Sequence, residues 1–178
     1  KLFSNLTILA LFSLSFVQCS QNKTPMKETS DSAKANAFFE KVYDEYLQRH
    51  PIQQSILGIR DRYTDWDDIS DSAELAEIEI AKQNLAKIKT IVSYEKLDPA
   101  TRVSYKMFIH EAEQKIAGAA FRYHNYPVNQ LFGWHSEIPS FLINIHTVAS
   151  KKDAEAYISR IEKVPFLFDQ LIEALKTR

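Results

Sequence analysis

The sequence is short of cysteine, glycine and net charge, and each shortage excludes something. Its one cysteine, Cys19, leaves no partner for an internal disulfide and no cysteine-only zinc site. Three glycines are too few for a phosphate-cradling loop or a β-rich fold full of tight turns, and neither G-x-G-x-x-G nor G-x-x-x-x-G-K-[ST] occurs. With 22 basic against 23 acidic side chains the net charge is −1, so the basic excess of a nucleic-acid-binding module is missing. No apolar run reaches the roughly 20 residues that a membrane-spanning helix needs. What is there is 45% hydrophobic and 25% charged residues over 178 positions, the mixture of an ordinary globular protein of about one domain.

The longest apolar run comes first. Lys1 is followed by Leu6-Thr7-Ile8-Leu9-Ala10-Leu11-Phe12-Ser13-Leu14-Ser15-Phe16-Val17, which reads as the h-region of a secretory signal peptide. Cys19 follows at once. A lone cysteine there suggests a bacterial lipoprotein signal, cleaved before Cys19 and lipidated on its thiol. Phe16-Val17-Gln18-Cys19 departs from the usual lipobox, which has an aliphatic residue at the position of Phe16 and a small one at that of Gln18. An ordinary signal peptide with an incidental cysteine, or a retained anchor, stays open beside it. The lipoprotein reading places the protein in a bacterial cell envelope, anchored to a membrane and facing the periplasm or the cell surface. The expected organisation is a signal segment over 1–19, a flexible polar tether over 20–32 and a helical domain over 33–178. The chain starts at Lys1 rather than methionine and ends at Arg178 inside a helical pattern with no C-cap glycine, so a piece of a longer protein is expected.

Helical periodicity dominates from there, and the expected fold class is all-α, a multi-helix array. Phe38, Phe39, Val42, Tyr43, Tyr46 and Leu47 recur at helical spacing before Pro51. Asp71 and Glu74 have capping-box spacing, as do Ser150 and Asp153. Asp98-Pro99 reads as an N-cap with proline at the first helical position, opening a helix to about Phe121. Phe141 to His146 could be a short strand, but a helix starting at Pro139 is the favoured reading. Pro165 is expected to open or kink the last helix. On the 99–121 helix, Tyr105, Phe108, Ile109, Ala112, Ile116 and Ala119 share one face, while Val103, Met107, His110, Gln114 and Phe121 lie roughly opposite. A helix apolar on two faces calls for cover on both. A larger helical protein would supply it; a self-contained bundle is the alternative.

Candidate chemistry is sparse. His110-Glu111-Ala112-Glu113-Gln114 nearly spells H-E-x-x-H, but Gln114 replaces the second histidine, and a neutral amide is a poor zinc ligand. The residue reads instead as a semi-buried interface histidine. His124, His135 and His146 are eleven residues apart, yet Pro127, Gly133 and Pro139 break any helix that would align them. Asp61, Asp65, Asp67 and Asp68 surround Trp66 without the glycine and glutamate of a calcium loop, and read as a solvated loop with capping duty. The loop from Tyr126 to His135 is the densest non-helical segment, and Asn129, Gln130, Trp134 and His135 are its possible cleft-lining residues. A packed connection with Trp134 as its plug is the alternative. No catalytic residue, metal ligand or cofactor is expected in this chain.

Tyr126-Pro127-Val128-Asn129-Gln130-Leu131-Phe132-Gly133, Ile138-Pro139-Ser140-Phe141-Leu142, Asp153-Ala154-Glu155-Ala156-Tyr157, Arg160, Pro165 and Phe168-Asp169-Gln170-Leu171-Ile172 together resemble the domain-of-unknown-function 885 family (DUF885). The resemblance spans about 35–178 and is strongest over 123–175. It implies a mostly helical bacterial protein of several hundred residues, often secreted or lipid-anchored. The family is grouped with zinc metallopeptidases of the gluzincin type, whose H-E-x-x-H and downstream glutamate lie towards the C-terminus. None of those residues is in this sequence. The resemblance therefore implies the N-terminal helical part of a zinc-dependent peptidase, with zinc and peptide substrate belonging to the full-length protein and this chain alone inactive. The alternative is a complete small helical envelope lipoprotein that binds a partner or acts as a scaffold.

Overall fold

The computed structural model describes residues 30–178. The signal segment, Cys19 and most of the expected tether lie outside the described residues. Among the described residues six α-helices follow one another: α1 (Ser30–Arg49), α2 (Pro51–Ile56), α3 (Asp71–Ile91), α4 (Pro99–Gly118), α5 (Trp134–Asn144) and α6 (Lys151–Lys176). Single 3₁₀ turns, Tyr94–Lys96 and Ala119–Phe121, flank α4. Among the described residues there is no strand, only an isolated antiparallel bridge between Val128 and Gly133. The fold is all-α.

Helix starts follow local chemistry. Asp98 caps α4 by accepting from the Thr101 amide at 2.9 Å, with Pro99 behind it. Ser150 caps α6, accepting from the Asp153 amide at 3.2 Å while its hydroxyl donates to the Asp153 carboxylate at 2.9 Å. At α3 the cap is Ser70 rather than Asp71: its hydroxyl accepts from the Ala73 amide at 3.2 Å, so the expected Asp71–Glu74 box sits one residue too late.

Three boundaries differ from the sequence expectation. α1 includes Ser30, within the expected tether, and there Asp31 and Ser32 are buried and engaged from afar. Asp31 accepts from the Ser93 amide at 3.0 Å, and the Ser32 hydroxyl accepts from the Asp98 amide at 2.9 Å. α5 starts at Trp134, not Pro139. Gly133 takes φ +133° and pairs with Val128, and a Cβ there would come within 2.5 Å of the Pro127 carbonyl. The amides of Ser136 and Glu137 then bond back to the Gly133 carbonyl at 2.9 and 3.0 Å. Finally, Pro165 does not open the last helix but lies inside α6, where it lacks the N–H that would serve the Ile161 carbonyl.

Two cores form. In the first, Ala35 and Phe38 of α1 meet Ile88 of α3, Val92 and Leu97, with Phe39, Tyr105 and Phe108 packed around them. In the second, Trp66 meets Ile138, Phe141 and Leu142 of α5 and Leu167 of α6. The first face of α4 is covered as its pattern requires, with Ala112 buried and Tyr105 and Phe108 half-buried. Its second face is not: Val103 and Met107 stay exposed among the described residues.

Candidate functional site

The loop residues singled out from sequence do not converge. Asn129 folds the loop tip by accepting from the Leu131 and Phe132 amides, both at 2.8 Å. Asn129, Gln130 and His135 are exposed, whereas Trp134 is half-buried and packs against the second core. None of the four lines either hollow described below. His110 and His124 are exposed too, so the expected interface histidine on α4 faces solvent.

The acidic loop does more than cap. Asp67 accepts from the Ile52 amide at 2.9 Å, capping α2 across the chain, and from His50 Nδ1 at 3.0 Å. Asp65 holds Arg62 at 3.0 Å and Lys163 of α6 at 2.7 Å. Asp68 accepts from the Ser70 amide at 2.9 Å and from Gln170 of α6 at 2.7 Å. Trp66, at the centre, is buried and donates to the Arg160 carbonyl at 2.9 Å.

Arg160 is the residue on which this side of the molecule is assembled. Its side chain is fully enclosed. Nε donates to the Asp65 carbonyl at 3.0 Å, Nη2 to the Ser55 hydroxyl at 2.8 Å and Nη1 to His146 Nδ1 at 3.0 Å. The guanidinium also lies over the rings of Tyr63, Trp66 and Phe141, at 5.1, 5.5 and 4.8 Å. Burial pushes Arg160 down to about 10, opposed by the fields of Tyr63, Asp65 and Asp67, so it stays cationic at neutral pH. His146 is buried and lowered, first by burial and then by the Arg160 charge. Asp153 is held low by the Ser150 hydroxyl, the Ala149 amide and Arg60, which lies 2.8 Å from both its oxygens.

An apolar groove of about 540 Å³ lies between α1, α3 and α4. Phe39, Val42, Tyr43, Met107 and Phe108 form its walls, and Arg49, Glu77 and Lys115 its polar end. Glu77 pairs with Arg49, and Lys115 sits 3.5 Å from it. Burial raises the Glu77 carboxyl, but these cations outweigh it and hold the group below its ordinary value. The His50 ring lies tilted against Tyr46 with centroids 4.0 Å apart. Its Nε2 is enclosed without a hydrogen-bond partner, 3.7 Å from Glu77. A second, polar hollow of about 470 Å³ is lined by Asp71, Glu74, Tyr123, Asp169 and Arg178 among others.

The groove has the size of a ligand site, roughly 300–1,000 Å³. Among the described residues no three His, Cys, Asp or Glu side chains come together as a metal site would require. These residues do not fit a zinc ion, and no catalytic step is assigned to them.

Sequence reasoning missed Arg160 as a centre, naming it only within a pattern. Nothing local marks it, since its partners Ser55, Asp65 and His146 lie 105, 95 and 14 residues away.

Residues 51–178 match the family model DUF885, described as a bacterial protein of unknown function. The match begins at the first residue of α2 and includes every residue of the Arg160 cluster. No curated protein and no solved structure matches the chain.

Proposed function

Given that the chain belongs to the DUF885 family of bacterial proteins, we propose that residues 30–178 are the helical N-terminal part of an exported, lipid-anchored zinc peptidase. In this reading the segment walls the substrate path and carries no catalytic group.

The observation that carries it is that two helices are apolar on two faces and covered on one. On α6, Leu167 and Leu171 are buried, while Ile158, Ile161, Ile172 and Leu175 are exposed. At 3.6 residues per turn these four fall within about 100° of each other, beside the buried face. On α4 the same holds for Val103 and Met107. Apolar stripes of this kind call for protein cover, which further chain of the same polypeptide would provide.

The test is made on the protein as the bacterium produces it, purified from envelope membranes. The reading expects bound zinc and peptide hydrolysis abolished by chelation. A native protein without zinc and without peptidase activity would overturn it. Replacing Cys19 by alanine is expected to move the protein from the membrane fraction to the soluble one; unchanged membrane retention would refute the anchor.

The groove between α1, α3 and α4 favours a second reading, an envelope lipoprotein that binds an apolar guest without catalysis. It expects a co-purifying apolar molecule, detected by mass spectrometry, lost from the variant Met107→Asp.

A further inference from the structure

Both ring nitrogens of His146 are engaged, and their partners fix its protonation. Nε2 lies 3.1 Å from the Asp153 carbonyl, which only accepts, so Nε2 carries the hydrogen. Nδ1 lies 3.0 Å from Arg160 Nη1, which only donates, so Nδ1 is the acceptor. His146 is therefore the neutral Nε2–H tautomer. A second proton would set N–H against N–H and place two cations side by side, one of them fully enclosed.

The same two side chains fasten the loop over 57–70 to α6. Arg160 holds the Asp65 carbonyl at 3.0 Å, and Trp66 holds the Arg160 carbonyl at 2.9 Å. Tyr63 stacks on the His146 ring with centroids 4.0 Å apart, and its hydroxyl donates to the Thr147 carbonyl at 2.9 Å. We propose that His146 is a proton-operated latch: on mild acidification it releases this loop from α6.

The charged and titratable surroundings leave the imidazolium no other partner. From α6 it faces Arg160, Asp153 and the edge of Tyr157; from the loop, Arg60 and Tyr63. From α2, Ser55 contributes only a neutral hydroxyl, bound to Arg160. From its own element, the His146 amide is tied to the Phe141 carbonyl at 3.1 Å. Asp153, the one carboxylate beside it, is already engaged by Arg60, the Ser150 hydroxyl and the Ala149 amide. Asp65 and Asp67 act on Arg160 rather than on the ring.

The test is hydrogen exchange of the whole chain at pH 7.5 and 5, corrected for intrinsic rates. Amides over 57–70 are expected to exchange severalfold faster at pH 5 than at pH 7.5, because the opened state takes up a proton that the latched ring refuses. In His146→Gln the amide can accept from Arg160 and donate to Asp153 without titrating, so the acceleration should vanish. Equal exchange at both pH values in the wild type, or the same acceleration in His146→Gln, would overturn the latch. The ring protons of His146, followed by NMR in the wild type, give a readout independent of the variant's folding. Titration at or above 6.5, the ordinary value, would also overturn it.

Discussion

The α1–α3–α4 half buries hydrocarbon, whereas the α2–α5–α6 half buries a charge. In the first, Ile88 and Ala35 are completely enclosed among aromatic and aliphatic neighbours, and the polar groups sit at the seams as helix caps and end-ties. In the second, the most enclosed large side chain is Arg160, hydrogen-bonded through all three nitrogens and sandwiched among rings. Packing losses are graded: a smaller side chain forfeits contact in proportion to the space it leaves. A satisfied buried cation is close to all-or-none, because losing one partner strands the rest in low dielectric. The two halves should therefore fail differently.

The largest expected effect is Arg160→Ala, which leaves the Ser55 hydroxyl, the Asp65 carbonyl and His146 Nδ1 without their donor. It should cost about 3–5 kcal/mol in urea unfolding, with Trp66 fluorescence changing even below the midpoint. A loss below about 1 kcal/mol would dissolve the contrast. Next comes Ile88→Ala in the first half, at about 2–4 kcal/mol, while Ile88→Val should cost only about 1 kcal/mol. Equal losses for the two substitutions would show that this half is not graded.

Acid should separate the halves by pH. The folded value of His146 lies below 6.5, so its contribution is present above 6.5 and is lost as pH falls through that lower folded value. Asp31 is lowered chiefly by the Ser93 amide, and Asp98 by the hydroxyls of Ser32 and Thr101. Their contribution is present above 3.8 and is lost only as pH falls through their still lower folded values. Hydrogen exchange should report loosening around Trp66 first and around Ile88 at markedly lower pH. Simultaneous loosening would remove the distinction. The smallest effect tests a cap: Ser70→Ala should cost about 1 kcal/mol and Glu74→Ala less than about 0.5 kcal/mol, the reverse order restoring the Asp71–Glu74 box.

What could be read from the sequence follows the range of the interactions. Asp98-Pro99 and Ser150-Asp153 announce their helices because cap and capped amide are neighbours. The facing of α4 is legible from its periodicity, though not which of its two apolar faces is covered. Ser30 to Ser32 look like tether because their partners, Ser93 and Asp98, are more than sixty residues on. α5 is misplaced by five residues because Pro139 is a local signal and the Gly133–Val128 pairing is not. Of the candidate loop, the packing of Trp134 against the second core is the part that its size and apolar surface announce. The buried Arg160 cluster draws on three separate segments and leaves no spacing to find.

Pro51, where the family match starts, is one residue beyond His50, the junction that ends α1. Yet α1 supplies Ala35 and Phe38 to the core around Ile88, and Asp31 and Ser32 tie down the turn between α3 and α4. A gene trimmed to the similarity boundary would strip the lid from that core and bare Ile88, Val92 and Leu97 to water. The matched region thus depends for one of its cores on a helix that precedes the match, and α1 belongs with it in any expressed form.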